Sequence, residues 1–190
     1  MQLFVNLFLV PLVDLDGIPA LLFTRRSLSL SSHSGQVSFP GGKVDPGDRD
    51  LVDTACRETM EELGIPTSAV DVWCQMPALS SNQRGDYSVT PVVGFIRDYS
   101  SLQLILSEAE VSSVFCVPIS SLCSPSNHGY TQFRVSTRPG YSLPVYHGAP
   151  HVIWGLTAII TFQLLRALLP TKLYSHKLLF QSPVLNKKQI

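Results

Sequence analysis

The chain has 190 residues, of which 45% are hydrophobic, and a formal net charge of zero at pH 7. This length suits one domain with a substantial core, and the absence of a basic excess argues against nucleic acid as a partner. The uncharged run 152–165 is shorter than the ~20 residues that a membrane span needs. The four cysteines form no CxxC pair, which argues against a zinc site and favours reduced thiols in an intracellular compartment.

The first two apolar runs predict a pair of strands. Residues 1–13 are almost entirely apolar, and the turn sequence Asp-Leu-Asp-Gly at 14–17 separates them from a second apolar run at 19–25. Asp and Gly favour tight turns, which supports strand, turn and strand in that order. A signal peptide is the alternative, but a basic start and a small-residue cleavage site are missing.

After a second strand, the chain enters the Gly- and Pro-rich loop 39–50, which leads into a predicted helix at 51–63. Pro91 predicts an edge position or a bulge in its strand. The elements predicted after the helix are strands at 69–76, 87–96 and 102–106, an apolar segment at 111–117, a helical turn at 118–122, a hairpin of 130–135 and 141–146, and a helix at 151–169 ended by Pro170.

We expect residues 1–170 to form one domain and the lysine-containing segment 171–190 to be a poorly ordered tail, with 178–180 docked on the domain. Within the helix 51–63, small and apolar residues recur every four positions and predict its buried stripe. These residues are Leu51, Ala55, Thr59 and Leu63.

Three carboxylates share a neighbouring face of the same helix. Glu58 and Glu62 are four residues apart and Glu61 is three after Glu58, so all three project to one side. They repel one another unless a cation lies among them, and Arg57 offers one guanidinium. Mg²⁺ prefers oxygen ligands and takes one or two carboxylates plus substrate phosphates. A solvated acidic face is the alternative.

These residues carry a resemblance to the Nudix hydrolases. Gly42 and the sequence Arg-Glu-Thr-Met-Glu-Glu-Leu-Gly-Ile at 57–65 resemble the family signature, the Nudix box. Three departures are visible: one extra residue separates Gly42 from Arg57, Asp48 stands where the signature has its first Glu, and Thr59 replaces a bulky apolar residue. The resemblance implies an α/β fold, with a mixed, curved β-sheet between helices.

The resemblance also implies an enzyme that hydrolyses a diphosphate bond in a nucleoside derivative, with Mg²⁺ or Mn²⁺ as cofactor. It implies catalytic roles for Arg57, Glu58 and Glu61 and metal binding by Glu58 and Glu62. Which glutamate takes the proton stays open. We expect Asp48 and Asp50, in the loop before the helix, to matter far less than these residues.

Two further features follow from the family likeness. Gly41 and Gly42 would let the loop backbone approach the substrate closely. In many Nudix enzymes a Glu outside the signature assists the metals or acts as the base, and Glu108 and Glu110 are candidates, although a solvent-facing turn is the favoured interpretation of both.

A second motif resembles the coenzyme A diphosphatase branch of the family. It consists of Leu-Phe-Thr-Arg-Arg-Ser at 22–27 and the sequence from Ser32 to Gly42. The branch has an Arg in the stretch that residues 31–33, Ser-Ser-His, occupy here. Arg25, Arg26 and His33 would bind anionic groups of the substrate, and the alternative is that the two arginines are simply solvated.

The branch resemblance implies a small-molecule substrate, coenzyme A or an acyl-coenzyme A, and likeness to a mitochondrial member implies that compartment. No Arg-rich leader opens this chain, so we expect the chain as written to be imported poorly and a longer form to carry the leader. The alternatives are a Nudix hydrolase of another nucleoside diphosphate derivative and a non-catalytic nucleotide-binding module.

Overall fold

The structure, a computed structural model, describes residues 4–80, 87–135 and 138–177. The chain divides into two compact units, Met1–Ile119 and Ser120–Ile190. The helices and strands are β1 Phe4–Leu15, β2 Ile18–Arg26, β3 Val37–Ser38, β4 Gly41–Lys43, α1 Leu51–Leu63, β5 Val70–Gln75, β6 Leu79–Ser80, β7 Tyr87–Ile96, β8 Val111–Pro118, α2 Ile119–Cys123, β9 His128–Val135, β10 Arg138–Tyr146 and α3 Gly155–Leu168.

A mixed sheet forms the centre of the first unit. Its main path runs β3-β2-β1-β7-β5, with β4 paired to β1, β6 to β7 and β8 to β2. β1 and β7 are parallel, whereas the other pairs are antiparallel. The prediction of an α/β fold with a mixed sheet is therefore confirmed. No helix among the described residues is long and apolar enough to cross a membrane.

The predicted turn after the first strand joins β1 to β2. Leu15 pairs with Ile18, so the hairpin loop is Asp16 and Gly17. Both residues have positive φ, 53° and 87°, which is the backbone of a tight hairpin turn and suits Asp-Gly. The Gly17 N–H donates to Asp14 Oδ1 at 2.6 Å and closes the turn.

Helix α1 packs on this sheet through the predicted stripe. Ala55 and Leu63 are fully buried, and Thr59 is buried with them. The Thr59 hydroxyl donates to the Ala55 carbonyl at 2.7 Å, which satisfies a polar group at a position where the family signature is apolar. Asp50 caps the first turn and Gly64, at φ 71°, ends the helix, so the predicted bounds 51–63 are confirmed.

Two predictions about strands are wrong. β7, which contains Pro91, is an interior strand between β1 and β5, and the bulge lies in β5 between Val72 and Cys74. The Pro91 carbonyl accepts from the Met76 N–H, just beyond the end of β5. In an antiparallel pair the N–H and carbonyl of one residue face the same neighbour. The N–H that proline lacks would therefore face the gap between β5 and β6, where no ladder bond is lost. Residues 102–106 are not a strand.

Segment 102–106 instead lies against the end of α1. The Ile105 N–H donates to the Leu63 carbonyl and the Ser107 N–H to the Glu62 carbonyl, both at 2.9 Å. These bonds satisfy carbonyls that the last turn of a helix leaves without partners. The alternating side chains Leu102, Leu104 and Leu106 pack on the core, which explains why the pattern resembled a strand.

The second unit contains the predicted hairpin, β9 with β10, and helix α3. The helix begins at Gly155 rather than at 151, because Ile153 pairs with Tyr146 and Gly155 has φ 63°. Tyr174 and His176 are buried, at 3% and 5% exposure. The division at residue 170 stays a prediction, and the predicted docking of 178–180 lies outside the described residues.

Candidate active site

Arg57 is the centre of a hydrogen-bond network between the loop before α1 and the glutamates of α1. Its Nε donates to Asp48 Oδ1 at 2.7 Å and its Nη1 to Glu61 Oε2 at 3.0 Å. Its Nη2 lies 3.0 Å from the Lys43 carbonyl oxygen and 3.1 Å from Glu58 Oε1. One guanidinium therefore links the loop to two of the glutamates that the sequence singled out.

Asp48, in the loop before α1, is a partner of Arg57 with a nearly inaccessible side chain. Its side chain is 3% exposed, and it accepts from the Asp45 N–H and the Thr54 hydroxyl, each at 2.8 Å. The hydrogen bonds from Arg57, Asp45 and Thr54 hold the pKa of the Asp48 carboxyl well below its usual range. The signal was present in its position, where the signature has a Glu.

Glu58 and Glu62 have fewer hydrogen-bond partners than Asp48: Glu58 accepts from Arg57 Nη2, and Glu62 accepts from the Gly41 N–H. Glu62 is 6% exposed, and burial, reinforced by the charges of Glu110 and Glu58, raises its pKa to about 8. Burial also raises the pKa of Glu58, although the Arg57 guanidinium opposes the shift. Glu61 is half-exposed and turns towards Arg57 rather than towards this pair.

Glu110 is the carboxylate that the sequence analysis placed in a solvent-facing turn. The residue is exposed, as predicted, but its negative charge acts on both Glu58 and Glu62. The Ser27 N–H donates to the Glu110 carbonyl at 2.7 Å, which fixes its turn beside the end of β2. Sequence spacing gave no means of choosing between Glu108 and Glu110, because the choice depends on this tertiary contact.

The three predicted anion-binding residues have different surroundings. The Arg25 Nε donates to the Gly35 carbonyl at 3.3 Å, and the exposed His33 ring lies 3.1 Å from the Gln36 side chain. The Arg26 Nε is buried with no hydrogen-bond partner, while the Arg26 charge favours the ionised form of Glu62. The Arg26 charge therefore acts on the Glu62 carboxylate.

The residues fit a hard divalent cation. The charge of Glu110 raises the pKa of both Glu58 and Glu62, and the charge of Glu58 also raises that of Glu62, so a positive ion among these carboxylates would relieve the repulsion. Within 4–80, 87–135 and 138–177, no group of three or more His, Cys, Asp or Glu side chains is arranged so that it could hold a metal ion. Mg²⁺ commonly takes one or two protein carboxylates and completes its shell with water and phosphate.

Comparisons with known proteins identify the class. Residues 6–137 match the model of the NUDIX domain family. The chain is 43% identical over 163 residues to "Mitochondrial coenzyme A diphosphatase NUDT8" of Homo sapiens, which covers 85% of this chain and 68% of that protein. It is 38% identical over 187 residues to "Nudix hydrolase 3" of Caenorhabditis elegans, which covers 90% and 75%.

A solved structure of a C. elegans Ap4A hydrolase binary complex shares the fold. It aligns with a TM-score of 0.52 at 24% identity, over 63% of this chain and 83% of that one. The chain therefore belongs to the Nudix family and is a Nudix hydrolase, as the signature predicted. Enzymes of this family generally use divalent metal ions.

Proposed function

We propose that the protein hydrolyses the diphosphate bond of coenzyme A and acyl-coenzyme A, with Mg²⁺ or Mn²⁺ as cofactor. The products are adenosine 3′,5′-bisphosphate and 4′-phosphopantetheine or its acyl form. The observation that carries the proposal is the group of carboxylates Glu58, Glu62 and Glu110 next to the charge of Arg26. The substrate is supported by the relative that is named a coenzyme A diphosphatase.

The difficulty of this reaction is charge, because a diphosphate repels an incoming hydroxide. Glu58 and Glu62 would hold the cation, which when bound neutralises phosphate charge and lowers the pKa of water. Arg26 would bind phosphate oxygens through its guanidinium, whose Nε has no protein partner. The cation and the Arg26 guanidinium would then each neutralise part of the negative charge of the diphosphate.

Arg57 serves the reaction by holding other groups. It donates to Glu58 and Glu61, which limits the conformations of both side chains and keeps their carboxylates near one place. We assign proton transfer to this pair. Glu61 is the more exposed of the two, and burial raises the pKa of Glu58 in the metal-free protein.

The test is a substrate comparison with product masses. Purified protein is incubated with coenzyme A, an acyl-coenzyme A, a dinucleoside polyphosphate and a nucleotide sugar, each with Mg²⁺ or Mn²⁺, and products are identified by mass spectrometry. We expect adenosine 3′,5′-bisphosphate from the first two and none in EDTA. Turnover of another diphosphate with intact coenzyme A would reassign the substrate, and Glu58→Gln is the control for a contaminating hydrolase.

We also propose that the protein acts in mitochondria, since the Homo sapiens relative is named a mitochondrial protein. Fractionation of cells with an antibody against the endogenous protein tests this proposal. Recovery with the matrix fraction is the expected result, and recovery only with the cytosol would contradict it.

A further inference from the structure

Each residue of strand β4 contacts one side chain of helix α1. Each of its three residues contacts a different functional side chain of the helix: the Gly41 N–H donates to the Glu62 carboxylate, the Gly42 Cα faces the Glu58 carboxylate, and the Lys43 carbonyl accepts from Arg57 Nη2 at 3.0 Å. The pairing of β4 with β1 fixes the strand, since Phe8 and Leu7 pair with Gly41 and Gly42. A rigid backbone therefore lies against the carboxylates.

The contact at Gly42 leaves no room for a side chain. A Cβ built on Gly42 would lie 2.5 Å from each of Cδ, Oε1 and Oε2 of Glu58. The whole carboxylate therefore occupies the space that any other residue would fill. On its other side, Glu58 accepts from Arg57 Nη2 at 3.1 Å, so the carboxylate is held between a backbone and a guanidinium.

We propose that Gly42 is a positioning residue for Glu58, whose carboxylate takes its cation-binding conformation in the space that the missing side chain leaves. This inference rests on the proposed metal-dependent function. It gives Gly42 a role towards the protein's own carboxylate, in addition to the close approach to substrate that the sequence suggested.

The neighbouring glycines show why Gly42→Ala is a clean probe. At Gly41, φ is 149° and a Cβ would lie 2.0 Å from the Leu7 carbonyl oxygen, so a substitution there collides with the backbone. At Gly42 the collision is with the end of a flexible side chain, which rotates away at little cost. Gly42→Ala should therefore fold and displace the Glu58 carboxylate. Gly47→Ala is the matched control, because a Cβ there meets Asp45 Oδ1 at 3.3 Å.

The experiment measures Mn²⁺ affinity by electron paramagnetic resonance, without substrate, together with Tm. Gly42→Ala should weaken Mn²⁺ binding about 10- to 100-fold, the usual loss when the support of a metal ligand is removed, with a Tm near that of the wild type. Gly47→Ala should bind Mn²⁺ as the wild type does.

A rescue variant separates positioning from a general structural role. Glu58→Asp should weaken Mn²⁺ binding in the wild type, but in the Gly42→Ala background the shorter side chain withdraws from the new methyl group and should strengthen binding. Such a change of sign requires that the two residues interact directly. Mn²⁺ affinity of Gly42→Ala equal to that of the wild type, or a loss that Glu58→Asp deepens, would overturn the inference.

The outcomes also separate this inference from the proposed function. A wild type that binds Mn²⁺ and is weakened by Gly42→Ala, yet leaves coenzyme A intact, contradicts only the proposed substrate. A wild type that hydrolyses coenzyme A with Mn²⁺ and is unaffected by Gly42→Ala contradicts only the positioning role. A wild type that neither binds Mn²⁺ nor hydrolyses coenzyme A contradicts both.

Discussion

Asp48 and Glu62 are both nearly inaccessible carboxylates, at 3% side-chain and 6% residue exposure, but their protonation equilibria move in opposite directions. The pKa of Asp48 is lowered, first by its hydrogen bonds with Arg57. The pKa of Glu62 is raised to about 8, first by burial and then by the charges of Glu110 and Glu58. Burial is common to the two, so the neighbours decide the difference.

The difference distinguishes a carboxylate in a structural ion pair, Asp48, from one that is available to a ligand, Glu62. Asp48 has its cation within the protein, in Arg57, and its hydrogen bonds are satisfied. Glu62 has an N–H donor from Gly41 and negative neighbours. A buried carboxylate among other carboxylates is unfavourable in the protein alone, and such an arrangement is typical of functional sites.

The largest effect should come from removing the charge of Glu58 or Glu62. Glu58→Gln and Glu62→Gln keep the size of the side chain but lose a ligand charge, and several kcal/mol of transition-state stabilisation depend on the cation. We expect kcat to fall by at least about 100-fold, given about 1.4 kcal/mol for each tenfold. Tm should stay level or rise, because repulsion is relieved. Near-native turnover in either variant, in a metal titration, would remove the metal assignment.

The next largest effect should come from removing the charge of Asp48. Asp48→Asn keeps the shape but leaves Arg57 without its nearest anion, so Arg57 should hold Glu58 and Glu61 less firmly. We expect kcat/KM to fall about 10- to 100-fold, as for other residues that orient ligands, and Tm to fall as well. Kinetics and thermal unfolding of this variant check both. The opposite Tm response in Glu62→Gln is the comparison that matters, and equal responses would contradict the assignment.

A smaller effect should separate the two arginines. Arg26→Ala removes the guanidinium whose charge reaches Glu62, so it should raise KM for coenzyme A more than it lowers kcat, the pattern of lost uniform binding. We expect about a tenfold change, the equivalent of one charged hydrogen bond. Arg25→Ala, which removes a bond to the Gly35 carbonyl, is the matched control and should change KM less. Wild-type KM values in both variants would return both arginines to the solvated interpretation.

An effect of a different kind should be a pH dependence of stability in the metal-free protein. The folded pKa of Glu62 is raised from 4.5 to about 8, so between these values the folded state binds more protons than the unfolded state. The free energy of unfolding should therefore fall as pH rises through this window, by at most about 1.4 kcal/mol per pH unit.

Thermal unfolding in EDTA across this pH window measures the trend, and Glu62→Gln is the control that should flatten it. Added Mg²⁺ should raise Tm most at the alkaline end, where Glu62 is ionised in both states. A Tm that rises with pH in EDTA would contradict the assignment. Asp48 has the opposite sign, since its lowered pKa withdraws stability only as pH falls below its unfolded value.

Local sequence patterns were sufficient for the helix that carries the site. The stripe through Ala55 and Leu63 and the bounds 51–63 depend on spacing within one helix, where side chains three and four residues apart meet whatever the rest of the fold does. The Asp-Gly hairpin was predictable for the same reason, because its two residues set their own φ.

Only the tertiary structure decided how these groups are used. Residues 102–106 look like a strand but bind the end of α1, and Pro91 lies in an interior strand because pairing happens to break beside it. By residue type alone, Asp48, Glu62 and Glu110 are alike, since each is a carboxylate with polar neighbours in the sequence. Their charges become different when folding places Arg57 beside one and negative groups beside the others, and that arrangement joins residues far apart in the chain.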